Sequence, residues 1–194
     1  MNIIRSVRSG IVGFILPLAC VVNAAEFSGA RPLETQPSAA QITNGLAINY
    51  FYEFFDHIDE LENRSGGKKG EPLKNLSHRT IDGKVLTANR VMGVGCHIRG
   101  LIHLDSKGTY IFRIESNDGV KLKIGDIEMW KDPEIHGNRW SDKLHFVVEQ
   151  SGWYSFWMNY YQRKGTSAIQ LAWTPPGASE ESIVPTEALA LPLP

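Results

Sequence analysis

The sequence predicts an all-β domain, an antiparallel sandwich or barrel with at most a short helix near residues 56–62. Two observations predict it. Tyr110, Phe112 and Ile114 alternate with Ile111, Arg113 and Glu115, and Val120, Leu122 and Ile124 alternate with Lys121 and Lys123. That period of two puts one apolar face on a core and leaves the other largely polar. From Val91 onward, short runs of this kind are separated by turn residues at close spacing, which is the pattern of a sandwich or barrel. A chain of 194 residues, 42% hydrophobic, suffices for one ordinary globular domain.

The elements follow in order. Residues 1–24 have the layout of a secretory signal: Arg5 and Arg8 in the n-region, Ile11 to Val22 as a short apolar h-region, and small residues before a cut at Ala25. Removing them takes the formal charge from −1 to −3. Neither value predicts attraction to nucleic acid. No later stretch is apolar and long enough for a transmembrane segment. The expected location is therefore secreted or periplasmic. A lipoprotein at Cys20 is disfavoured because Pro17 stands where a branched apolar residue is wanted. Without Cys20, Cys96 is alone and is expected as a small buried hydrophobe.

Residues 25–44, rich in Ala, Pro, Ser and Gln, are expected as a flexible linker, and residues 45–190 as the β domain. Within it, an aromatic strand at Asn49–Phe55 precedes the acidic run Asp56 to Glu62, and Asn63 to Asn75 is expected as a loop. Strands are expected at 98–104, 109–115, 120–124, 144–149, 153–161 and 169–173. Asp105-Ser-Lys-Gly108 and Ser116-Asn-Asp-Gly119 have hairpin spacing, and Gly119 is available for a positive φ.

The run from Gly100 to Ile124 contains a glycine-ended strand, Gly108-Thr-Tyr-Ile-Phe112, Ser116-Asn-Asp-Gly119 and an alternating apolar strand. It resembles the PA14 domain family. Gly152 to Gln162, Ile169 to Gly177 and the ending Ile183, Pro185, Leu189 are similar to that family's later elements, so the resemblance covers most of residues 45–189. It implies a PA14-like β-sandwich or barrel of secreted and surface proteins, many of which bind carbohydrate. In the family's lectins two adjacent aspartates joined by a cis peptide hold Ca²⁺. The matching pair here is Asn117-Asp118, with Asn in the first place and one negative charge fewer. The resemblance thus implies Asn117 and Asp118 as metal ligands, with further oxygens from Asn159 and Gln162. The residues alone equally describe a tight turn whose side chains bond their own backbone.

Trp157 falls on the face opposite Tyr154, Phe156, Met158 and Tyr160, which makes it a candidate sugar platform. Trp130 and Trp140 bracket a loop that can form a rim. No enzyme is expected. The carboxylates of residues 53–62 form a local, solvated run, and the six histidines show neither HExxH spacing nor a zinc pattern. The expectation is a non-catalytic glycan-binding module whose partner is a carbohydrate or cell-surface glycan. The alternative is a metal-independent interaction or structural module with an envelope or secreted protein partner.

Overall fold

A computed structural model describes residues 25–193, so the expected leader lies outside the described residues. The described chain is all-β. A seven-stranded sheet runs β1 (Ala25–Phe27), β11 (Leu144–Val148), β7 (Gly108–Ser116), β13 (Ser167–Thr174) and β14 (Ser182–Ile183). Beside it, β10 (Arg139–Trp140) pairs with β7 and β5 (Ser77–Thr80) with β13. An eight-stranded sheet runs β2 (Ile42–Asn44), β15 (Leu189–Pro192), β6 (Val94–Leu104), β12 (Gly152–Gln162), β8 (Val120–Ile124) and β9 (Ile127–Asp132). There β3 (Ala47–Phe51) pairs with β6 and β4 (Lys68–Lys69) with β3. Strand pairing is antiparallel except between β1 and β11. Among the described residues no helix is long and apolar enough to cross a membrane.

The core lies between the sheets and is built by the predicted alternation. Tyr110, Phe112 and Ile114 of β7 face Tyr154, Phe156, Met158 and Tyr160 of β12, and all are buried. Phe146 meets Tyr154 edge to face across the layers, with centroids 6.2 Å apart. Each such side chain contributes about 1.5–3 kcal/mol on leaving water. Cys96 is buried in the same core, and desolvation pushes its thiol well above the usual range.

Three expectations are corrected. The turns at Asp105–Gly108 and Ser116–Gly119 are corners between the sheets, not hairpins, because β7 belongs to one sheet and β6 and β8 to the other. Alternation looks the same whether the next strand pairs beside the last one or crosses to the facing layer. The positive φ of the second turn sits at Asp118, at 62°, not at Gly119. Residues 25–44 are not a free linker: β1 and β2 close open sheet edges, and Leu33 N–H donates to Trp153 O at 2.8 Å. Unpaired strand edges capture an adjacent extended segment whatever its composition.

The acidic run forms one 3₁₀ turn, Ile58–Leu61, whose start is capped by His57 and Glu60. Its apolar side packs with Phe51, Phe55 and Tyr161 as a second small core on the outer face of the larger sheet. His97 on β6 ties this turn down by donating Nε2–H to Leu61 O at 2.7 Å. Burial, together with the nearby Arg99, holds the His97 imidazole below its usual pKa despite that bond. The folded protein therefore resists a proton that the unfolded chain accepts below about pH 6.5. Stability should be flat above neutrality and fall as the pH drops through that value. His78, also held low by burial, acts in the same direction. Thermal melts from pH 8 to 5 should show the decline, and His97→Gln, which keeps a donor without titrating, should flatten part of it.

Candidate functional site

The structure brings Asn117, Asp118 and Gln162 together and places Trp157 and Asn159 elsewhere. At the corner between β7 and β8, Asp118 is only 2% exposed. Its Oδ1 accepts His136 N–H at 3.1 Å, its Oδ2 accepts Arg163 N–H at 2.7 Å, and its own N–H donates to His136 O at 3.0 Å. Asn117, 5% exposed, donates through Nδ2 to Asn138 Oδ1 at 2.6 Å and Thr166 Oγ1 at 3.0 Å. Its Oδ1 accepts Gln162 Nε2 at 3.0 Å, and the Gln162 Oε1 accepts the Tyr160 hydroxyl at 2.9 Å. Two loops, 133–138 and 163–166, are thus clamped onto one turn.

Donor chemistry decides whether this pair fits Ca²⁺, which takes six to eight oxygens and favours carboxylates. The site offers one carboxylate, and both of its oxygens already accept backbone amides. The amide of Asn117 faces neighbouring oxygens with its nitrogen, a use that an aspartate could not serve. Among the described residues no group of three His, Cys, Asp or Glu side chains converges, and no peptide bond is cis. Desolvation raises the Asp118 carboxyl above its usual pKa, against the amides that favour its charge. These residues hold each other and do not fit the ion.

The clamped loop shapes a groove. Within it Asp132 Oδ2 accepts Arg139 Nε–H at 2.8 Å and lies 3.2 Å from His136 Nε2, while Arg139 and Trp140 pair with β7. Beside the loop, Trp130, Asp132, Arg139 and Trp140 line a depression of about 290 Å³. Through Trp130, Lys131 and Asp142 it joins a groove of about 670 Å³ between β9 and the β1–β11 edge. The floor of that groove is Phe27, Met129 and Leu144, and its rim carries Glu128, Lys143 and His145. A half-buried Trp130 above an apolar floor, ringed by donors and acceptors, suits a ligand with both C–H faces and hydroxyls; Trp140, with Arg113 4.9 Å over its ring, contributes the wall beside it. Met129 and Phe27 were both missed, because no strand was expected over Ile127–Asp132 and Phe27 lies in the segment expected as linker.

Trp157 lies on the outer face of the larger sheet, half-buried, opposite Arg99 on β6 and Lys123 on β8. Both cations lie over its ring, at 4.2 and 5.1 Å from the centroid. Asn159 is fully buried and reaches this patch only from behind, by accepting Arg99 Nη2–H at 3.0 Å; its Nδ2 has no partner. The acidic run is likewise engaged: Asp56 pairs with Arg163, Asp59 with Lys131 at 2.6 Å, and Glu62 with Lys121 at 2.9 Å.

Residues 94–187 match the family model described as PA14 domain. No curated protein matches the chain in sequence. Among solved structures, the PA14 domain of the MpAFP antifreeze protein aligns with a TM-score of 0.65 at 16% identity, over 83% of this chain and 96% of that one. A domain described as the PA14 sugar-binding domain from an RTX adhesin aligns with a TM-score of 0.63 at 13% identity, over 77% and 99%. The A domain of epithelial adhesin 9 from Candida glabrata, solved in complex with Galβ1-4GlcNAc, gives 0.63 at 13% identity, over 84% and 96%. At these identities the likeness is one of fold.

Proposed function

Since residues 94–187 match the PA14 domain family model, we propose that the chain is an exported, non-catalytic glycan-binding module that needs no metal ion. The observation that carries the reading is the groove flanked by Trp130 and Trp140. It has an apolar floor, two indoles and a hydrogen-bonding rim, and it lies against a loop fixed by Asn117 and Asp118. Two neighbours in fold described as sugar-binding or sugar-bound support it, and the leader-like composition of residues 1–24 supports export. In this reading Asn117, Asp118 and Gln162 are positioning residues. They hold the loop that presents Arg139 and Trp140, and they do not touch the sugar.

A glycan array followed by titration calorimetry on the best saccharide tests it. Trp130→Ala should weaken binding about tenfold or more, and Trp140→Ala, whose ring already carries Arg113, by less. Trp130 also packs on the core, so its variant is assayed below its own lowered melting temperature. Chelator should change neither affinity nor stability. Undiminished binding in both variants would remove the groove from the mechanism. Binding to no saccharide would leave the alternative, a module that docks another envelope or secreted protein.

A further inference from the structure

We propose that the outer-face depression around Trp157 is a second binding site that receives the carboxylate or sulfate of an acidic glycan, through Arg99 and Lys123. It rests on the preceding reading only in taking the anion to be carried by a sugar chain.

The depression holds about 530 Å³ and is lined by Arg99, Lys123, Ser155, Trp157 and Glu62. Its charges are uneven. Lys121 is only 5% exposed and is held by both Glu62 at 2.9 Å and Glu128 at 3.1 Å. Lys123 has only a distant contact with Glu128, at 3.9 Å. Arg99 has no ion pair among the described residues; its guanidinium donates to Ile98 O, Met158 O and Asn159 Oδ1. A half-buried cation without a counter-ion is a standing desolvation penalty that a bound anion would relieve. Desolvation pushes the Arg99 pKa down to about 10, consistent with that deficit.

The geometry also selects against a neutral sugar. Arg99 and Lys123 occupy the space over the Trp157 ring, where sugar C–H groups would otherwise stack, and their heads lie within about 9 Å of each other. Arg99 and Lys123 flank the indole from the two strands beside β12, and the Ser155 hydroxyl lines the same depression. A nucleic acid or anionic membrane fits less well, because Glu62 and Glu128 border the patch and would meet a continuous array of phosphates. A chain with one oxyanion per sugar can address Arg99 and Lys123 alone.

The test titrates the protein with oligogalacturonate, its methyl ester on the same backbone, a heparin oligosaccharide and duplex DNA. Oligogalacturonate, heparin or both should bind, which of them distinguishing carboxylate from sulfate, and the methyl ester should not. Affinity should fall as salt rises. Lys123→Gln, at a half-exposed position, should weaken binding about tenfold. Arg99→Lys, which keeps the charge without the fork, should weaken it as well. Trp130→Ala should leave it unchanged, so loss of the groove and loss of this site are read separately. Equal binding of the methyl ester, undiminished binding in Lys123→Gln, or DNA binding as tight as that of the sugars would overturn the proposal. So would binding by neither acidic glycan.

Discussion

Replacing Gly119 with alanine should lower the melting temperature by roughly 5–10 °C, the effect of about 2–3 kcal/mol of overpacking in a domain of this size. A Cβ there would lie 2.3 Å from Tyr161 Cε1 and 2.9 Å from Pro133 O. Neither neighbour can yield cheaply. Tyr161 is fully buried against Phe55, its hydroxyl shares its single proton between Asp56 O and Pro133 O, and its N–H donates to Gly119 O at 3.0 Å. Pro133 begins the clamped loop, so the strain passes directly into the wall of the groove. Gly119→Ala should therefore weaken saccharide binding as well as stability. Combining it with Tyr161→Leu should recover part of the loss, a positive coupling that a double-mutant cycle reads out. A melting temperature equal to the parent's would mean that the close approach is not a constraint.

Gly119 also illustrates what local sequence can tell. Its presence in Ser116-Asn-Asp-Gly119 marked a turn, and a turn is there. The stated reason, positive φ, belongs to Asp118, and the glycine answers to a tyrosine 42 positions later in the chain. Strand identity and facing were legible from alternation: Tyr154, Phe156, Met158 and Tyr160 are inside and Trp157 is on the other face. Strand partners were not, because β7 reads the same whether β8 pairs with it or crosses to the second sheet. Asn117 and Asp118 were recognisable as special by their types and setting. Their partners, His136, Asn138, Arg163 and Thr166, come from loops with no periodicity, so the sequence could not tell a ligand pair from a clamp. At Trp157, Lys121 and Lys123 were on the right parity to be seen; Arg99 became its neighbour only through the pairing of β6 with β12.

Asp118→Ala should produce the other large loss, roughly 2–5 kcal/mol, because it strands two amides, those of His136 and Arg163, that now donate to the carboxylate away from water. Those two N–H groups should gain the most in hydrogen exchange, and the loop 133–138 should become the first site of proteolytic cleavage. Saccharide affinity at the Trp130–Trp140 groove should fall while acidic-glycan binding through Arg99 and Lys123 persists. Asp118→Asn keeps one acceptor and no charge, and comparing it with the parent across pH separates a clamp from a metal ligand. Burial raises the Asp118 carboxyl above its ordinary 3.8, so the folded state holds this proton more tightly than the unfolded chain does. The stability linked to that proton is complete below the unfolded value and is lost as pH rises through the folded one. The parent's advantage over Asp118→Asn should therefore be larger near pH 4 than at pH 7. Histidine and other titrations are common to both proteins and cancel in the difference. A carboxylate whose charge was stabilised by a bound cation would give the reverse slope, with an advantage that grows toward neutrality and disappears in chelator.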